Sequence, residues 1–264
     1  MTSASPTVGI DVSHHNDTID WAKVHAAGYR FAFIKATEGA TVTDALFSTN
    51  RQEARDAGLR TGAYHFYHPQ TDVAKQVENF LAVVGSMQSG ELPPVLDLEV
   101  PAEWLLPGME SWAKLPQSER VPRVLQWLQA VESRLGVRPI IYLSPSFAND
   151  TLRNDPRLGI YDLWIAHYTT ASAPSVPKPW TTYKYWQHSE TGTVDGIPGK
   201  AVDLNRYNGI MPLDTEGSVP ADSAQPDAAS NENSTTAAKA GCGCESFLTR
   251  LWHHFRRMLT AIFG

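Results

Sequence analysis

The chain has 264 residues, 42% hydrophobic and 19% charged, with a net charge of -6. This length accommodates one large α/β barrel or two ordinary domains, and the acidic balance argues against a nucleic-acid enzyme, which would show a basic face. Both cysteines, Cys242 and Cys244, lie near the C-terminus, so the preceding residues must be stable by core packing without a disulfide.

Eight short apolar runs follow one another, at 8–12, 31–36, 62–67, 95–99, 139–143, 162–166, 183–187 and 202–204. Helix-like periodicity fills several intervals, at 19–27, 45–57, 73–84 and 121–135, and Gly28, Gly58 and Gly136 mark three helix ends. Strand alternating with helix predicts a mostly parallel sheet, and eight strands predict a closed β/α barrel with about five helices. Beyond the fifth run, 168–182 and 189–200 are rich in Pro, Gly, Ser and Thr, so the later strands are expected to be joined by loops in an irregular TIM-like barrel.

The fourth run ends in Leu96-Asp97-Leu98-Glu99. Side chains alternate along a strand, so Asp97 and Glu99 face one side while Leu96 and Leu98 pack on the other. Two neighbouring carboxyls tend to divide into one that keeps its proton and one that stays ionised. An acid and an anion in one site are what glycosidic bond cleavage requires.

In β/α barrels the chemistry collects at the C-terminal ends of the strands. Those ends carry Asp11, Lys35 with Glu38, His65 to His68, Asp97 with Glu99, Tyr142, His167, Gln187 with His188, and Asp203 with Asn205. Asp11, Asp97, Glu99 and Asp203 meet only if the barrel closes, which is a geometric prediction. The histidines near this mouth include no His-x-His or His-Glu-x-x-His spacing, so no metal site is expected and no cofactor is implied.

Gly9-Ile10-Asp11-Val12-Ser13, Phe33-Ile34-Lys35-Ala36-Thr37-Glu38-Gly39, Gly62-Ala63-Tyr64-His65-Phe66, Leu96-Asp97-Leu98-Glu99, Leu163-Trp164-Ile165-Ala166, Trp186-Gln187 and Val202-Asp203-Leu204-Asn205 together resemble glycoside hydrolase family 25, the Chalaropsis-type lysozymes. The resemblance runs in order from about residue 8 to about 210. It implies hydrolysis of the β-1,4 bond between N-acetylmuramic acid and N-acetylglucosamine in peptidoglycan, with Glu99 as general acid. For Asp97 it implies either orientation of the substrate's acetamido group as nucleophile or a more direct part, and it matches Asp11 and Asp203 to two further active-site acids. Lys35, Glu38, Tyr64 and Gln187 fall at pocket positions of the family. Phe66, Tyr142, Trp164, Tyr168 and Trp186 complete the expected substrate-binding set. Two rival readings are a different amino-sugar glycan hydrolase and a non-catalytic wall-binding protein.

The barrel is expected over 1–211. Residues 212–238 carry five acids and no Lys or Arg, and 212–241, with hardly any large apolar side chain, read as a disordered acidic linker. In 242–264, Phe247, Leu248, Leu251, Trp252, Met258, Leu259, Ile262 and Phe263 recur at helical spacing, with Arg250, Arg256 and Arg257 opposite. A cationic amphipathic helix of this kind suits contact with a membrane surface through 247–263, the alternatives being a helix that folds back on the barrel or one that pairs with itself in an oligomer. Met1 to Pro6 have neither a charged n-region nor an apolar h-region, so no Sec signal is expected. Reaching the wall would then take phage lysis or specialised secretion. The enzyme is expected to act as a monomer.

Overall fold

A computed structural model describes residues 6–100 and 111–211, all within the unit Met1–Pro212. The expected linker and amphipathic helix lie outside the described residues. Among the described residues, no helix is long and apolar enough to cross a membrane.

The described residues form nine strands: β1 (Val8–Val12), β2 (Phe31–Glu38), β3 (Val42–Thr43), β4 (Arg60–Phe66), β5 (Val95–Asp97), β6 (Ile140–Leu143), β7 (Asp162–Ala166), β8 (Tyr185–Gly192) and β9 (Val202–Tyr207). Four α-helices lie between them, α1 (Trp21–Ala26), α2 (Phe47–Asp56), α3 (Val73–Val84) and α4 (Gln117–Leu135), with one π-helical turn at Phe147–Thr151. The ring runs β1-β2-β4-β5-β6-β7-β8-β9 and closes where β9 meets β1, while the two-residue β3 pairs only with β2 as an outer hairpin. From β1 to β8 every neighbour in the ring is parallel, and β9 is antiparallel to both β8 and β1.

This reversal bears on Asp203. In a uniformly parallel barrel the mouth residue would come from the end of the last strand. Here Asp203 is the second residue of β9 and still reaches the C-terminal mouth, because β9 runs the other way and pairs Asp203 with Asp11. Strand β8 extends to Gly192, into a stretch expected to be loop. A hairpin with β9, interrupted by two register shifts, gives its Ser-Glu-Thr-Gly end a partner that strand propensity alone would not.

Alternation sorts the core into two layers. Leu96 and Leu98 pack outward with Phe80, Trp127 and Val131, against α3 and α4. Val95, Phe31, Phe33, Tyr142, Trp164 and Tyr185 point inward and fill the barrel. The interior rings need room from adjacent strands. A Cβ on Gly9 would fall 2.5 Å from the Phe31 ring, and one on Gly62 would fall 2.7 Å from Phe33, so glycine on β1 and β4 accommodates the phenylalanines of β2. The filled base leaves the polar side chains to the mouth.

Candidate active site

Asp11, one layer above Gly9 on β1, is buried and accepts two hydrogen bonds at its Oδ2, from Asn205 Nδ2 at 2.7 Å and from Gln187 Nε2 at 2.9 Å. Each donor is itself oriented from behind. Trp164 Nε1 donates to Asn205 Oδ1 at 2.8 Å, while Tyr142 and Tyr168 both donate their hydroxyls to Gln187 Oε1, at 2.8 and 2.7 Å. With its oxygen occupied by two phenols, the Gln187 amide turns its nitrogen to the carboxylate. The network therefore spans β1, β6, β7 and the segment after it, β8 and β9, and it fixes Asp11 as an acceptor.

Across the mouth, Asp97 closes β5 with its side chain buried, and the Leu98 N–H continues the ladder to Tyr142 O at 2.9 Å. Glu99 lies two residues past the end of the strand and is half-buried, with its carbonyl accepting from Trp112 Nε1 at 3.1 Å. The sequence places Glu99 on the strand with Asp97. The strand ends at Asp97, and the extended ladder together with the Trp112 bond carries the chain on to Glu99. Tyr64, on β4 between β2 and β5, reports the convergence of the other acids. Burial and the carboxylates of Asp11, Asp97, Asp44 and Asp203 hold its phenol well above the ordinary tyrosine range.

A cation faces these acids from β2. Lys35 is buried next to Tyr64 in register, with its Nζ 4.9 Å from the Phe66 ring centre and 2.6 Å from Glu38 Oε2. His68 Nε2 binds the other Glu38 oxygen at 3.0 Å. Burial alone would raise the Glu38 carboxyl, but the His68 hydrogen bond and the Lys35 charge outweigh it and hold the group down to about 2.

The aromatic residues of the expected set divide three ways. Tyr142 and Tyr168 reach the mouth through their hydroxyls. Trp164 is buried in the floor, stacked on Phe33 at 4.4 Å, and acts through its N–H on Asn205. Trp186, expected among the substrate-binding residues, is turned away from the mouth. It neighbours Gln187 on β8, so its ring faces the outer layer, where it packs with Tyr183 and Arg206 and donates to His167 O. Asn205 and His68 stand among the strand-end residues of the sequence but outside its expected catalytic and substrate-binding sets; Asn205 follows Asp203 by alternation, whereas His68 meets Glu38 only through the pairing of β2 with β4.

Among the described residues, no group of three or more His, Cys, Asp or Glu side chains is arranged to hold a metal ion. The chemistry on offer is that of the carboxylic groups of Asp11, Asp97, Glu99, Asp203 and Glu38, one ammonium and a set of oriented amides and phenols at one end of a barrel.

The model of the family described as glycosyl hydrolases family 25 matches residues 10–197. This chain belongs to glycosyl hydrolase family 25. The family member is thus a glycoside hydrolase with the family's α/β barrel. The uncharacterized protein YegX of Escherichia coli is 41% identical to it over 214 residues, 79% of this chain and 72% of that protein. Lysozyme M1 of Streptomyces globisporus is 34% identical over 210 residues, 76% of this chain and 67% of that protein. The solved bacterial lysozyme from Streptomyces coelicolor matches with a TM-score of 0.71 at 33% identity, covering 79% of this chain and 94% of that one.

Proposed function

We infer that this family 25 enzyme is a muramidase, hydrolysing the β-1,4 bond between N-acetylmuramic acid and N-acetylglucosamine in bacterial peptidoglycan and so breaking down the cell wall. The observation that carries the reading is the meeting of Asp11 and Asp203 across β1 and β9 with Asp97 at the same mouth, in a chain that is a third identical to two Streptomyces lysozymes over the aligned residues.

Glu99 serves as general acid. Its proton passes to the glycosidic oxygen as the bond from C1 to that oxygen breaks, and the leaving sugar departs with a hydroxyl. Positive charge then develops at C1 and its ring oxygen or on the acetamido group that closes on C1. Asp97, buried at the end of β5, offsets that charge. Water completes the reaction at C1 and returns a proton to Glu99. Asp11, Asp203, Lys35 and Tyr64 shape the field around this pair, and Gln187, Tyr142 and Tyr168 hold Asp11 in place. The cationic amphipathic pattern at 247–263 supports a further contact of the same enzyme with membrane surface.

The test is mass spectrometry of purified peptidoglycan digested with wild type and with Glu99→Gln, after borohydride reduction of new sugar ends. Muramitol ends from the wild type alone are expected. Reduced glucosamine ends would redirect the assignment to a glucosaminidase, and no new ends from an intact protein bound to the wall would favour a binding module.

A further inference from the structure

His68 is built into its position more firmly than a loop residue needs to be. Its backbone N–H donates to Gln76 Oε1 and its carbonyl accepts from Gln76 Nε2, both at 2.9 Å, and Gln76 is fully buried on α3. Its ring lies over the backbone of Gly39, where a Cβ would come within 3.2 Å of the imidazole. Asn79, one turn along α3, holds the Gly39 carbonyl at 3.0 Å. The ring is thereby aimed at Glu38, whose second oxygen holds Lys35 at 2.6 Å.

An ionised carboxylate only accepts, so Nε2 of His68 carries a hydrogen whether the ring is neutral or charged. The bond to Glu38 therefore forms in either charge state of the ring. Glu38 and Lys35 from β2 and His65 from β4 face His68, and α3 presents the neutral amide of Gln76. Burial keeps His65 neutral, down at about 3.

We propose that His68 is a positioning residue for hydrolysis: through its hydrogen bond it holds Glu38 in the orientation that fixes the Lys35 ammonium. The proposal rests on the muramidase reading of the same mouth.

The experiment is the measurement of kcat and KM on purified peptidoglycan near neutrality for wild type, His68→Gln and His68→Ala, with thermal unfolding of each. His68→Gln keeps a donor toward Glu38 and is expected to retain most of the wild-type turnover. His68→Ala is expected to lower kcat about tenfold with little change in KM, because Glu38, and Lys35 with it, loses its fixed orientation. A folded His68→Ala with wild-type kcat overturns the positioning role, and a folded His68→Gln as slow as His68→Ala overturns its action through the hydrogen bond. If His68→Ala does not fold, His68→Gln decides alone: kcat near neutrality as low as that of Lys35→Ala overturns positioning through the hydrogen bond. Failure of the underlying reading is seen separately, as the absence of new muramic acid ends from the wild type.

Discussion

Gln187 gives one amide hydrogen to Asp11 at 2.9 Å while its carbonyl oxygen takes the hydroxyls of Tyr142 and Tyr168. The amide is thus polarised toward the carboxylate, and its replacement by an acid should be pH-sensitive. In Gln187→Glu the two phenols still have an acceptor, but a second carboxyl stands against Asp11 where a donor stood. Near pH 5 the two acids can share a proton. Near pH 8 both tend to ionise, and the variant should lose a further 1–3 kcal/mol or so relative to wild type. Urea unfolding at both pH values checks this, and an equal deficit at the two would rule it out.

Asp97→Asn preserves shape and burial but removes the charge that faces the developing cation. Turnover on peptidoglycan is expected to fall by about 10²–10³, with KM moving little, because the interaction strengthens only in the transition state. Release of reducing ends measured against wall binding by the same variant separates the two. A variant that keeps wild-type kcat would remove Asp97 from the reaction.

Acid should weaken the fold in two steps of the same sign. His65 is held neutral in the folded state, down at about 3, by burial, with the charges of His68 and Lys35 adding to it, whereas an unfolded histidine takes up its proton near 6.5. Stability should therefore fall as the pH drops below 6.5. Glu38, ordinarily near 4.5, stays ionised to about 2, so the stability it contributes is present above 4.5 and is lost as the pH falls toward 2. The second step should amount to about 1–2 kcal/mol once partial exposure is allowed for. Thermal unfolding of wild type and Glu38→Gln from pH 7 to pH 2 should superpose in slope above 4.5 and diverge below it. Parallel curves throughout would contradict the assignment to Glu38.

Gly62→Ala places a methyl 2.7 Å from Phe33 inside the barrel, so the ring must shift. A loss of about 1–3 kcal/mol is expected, with partial recovery in the double variant carrying Phe33→Leu. Additive losses in the cycle would show that the two positions do not crowd each other.

Much of this architecture is legible in the chain because strand alternation and strand-end polarity are local rules. The runs ending at Val12, Ala166 and the Asp97 pair lie within a residue or two of the observed strands, and Leu96 and Leu98 pack outward as alternation requires. The same rule separates Trp186 from Gln187, since adjacent residues of one strand cannot both face the mouth. Composition at Val202–Tyr207 carries no mark of direction, so the reversal of β9 emerges only from its pairing with β1 and β8. The Lys35, Glu38 and His68 cluster is similarly hidden, because it depends on the register between β2 and β4 and on a glycine that makes space for a ring.

The seam between β1 and β9 joins the two ends of the barrel's sequence, and Asp11 takes its hydrogen bonds from residues 176 and 194 positions further along. A nascent chain still lacking β9 has neither a closed ring nor a fixed Asp11. The mouth is therefore assembled late in synthesis, by the last strand, and fragments ending short of Asn205 lack one of the two donors that fix Asp11.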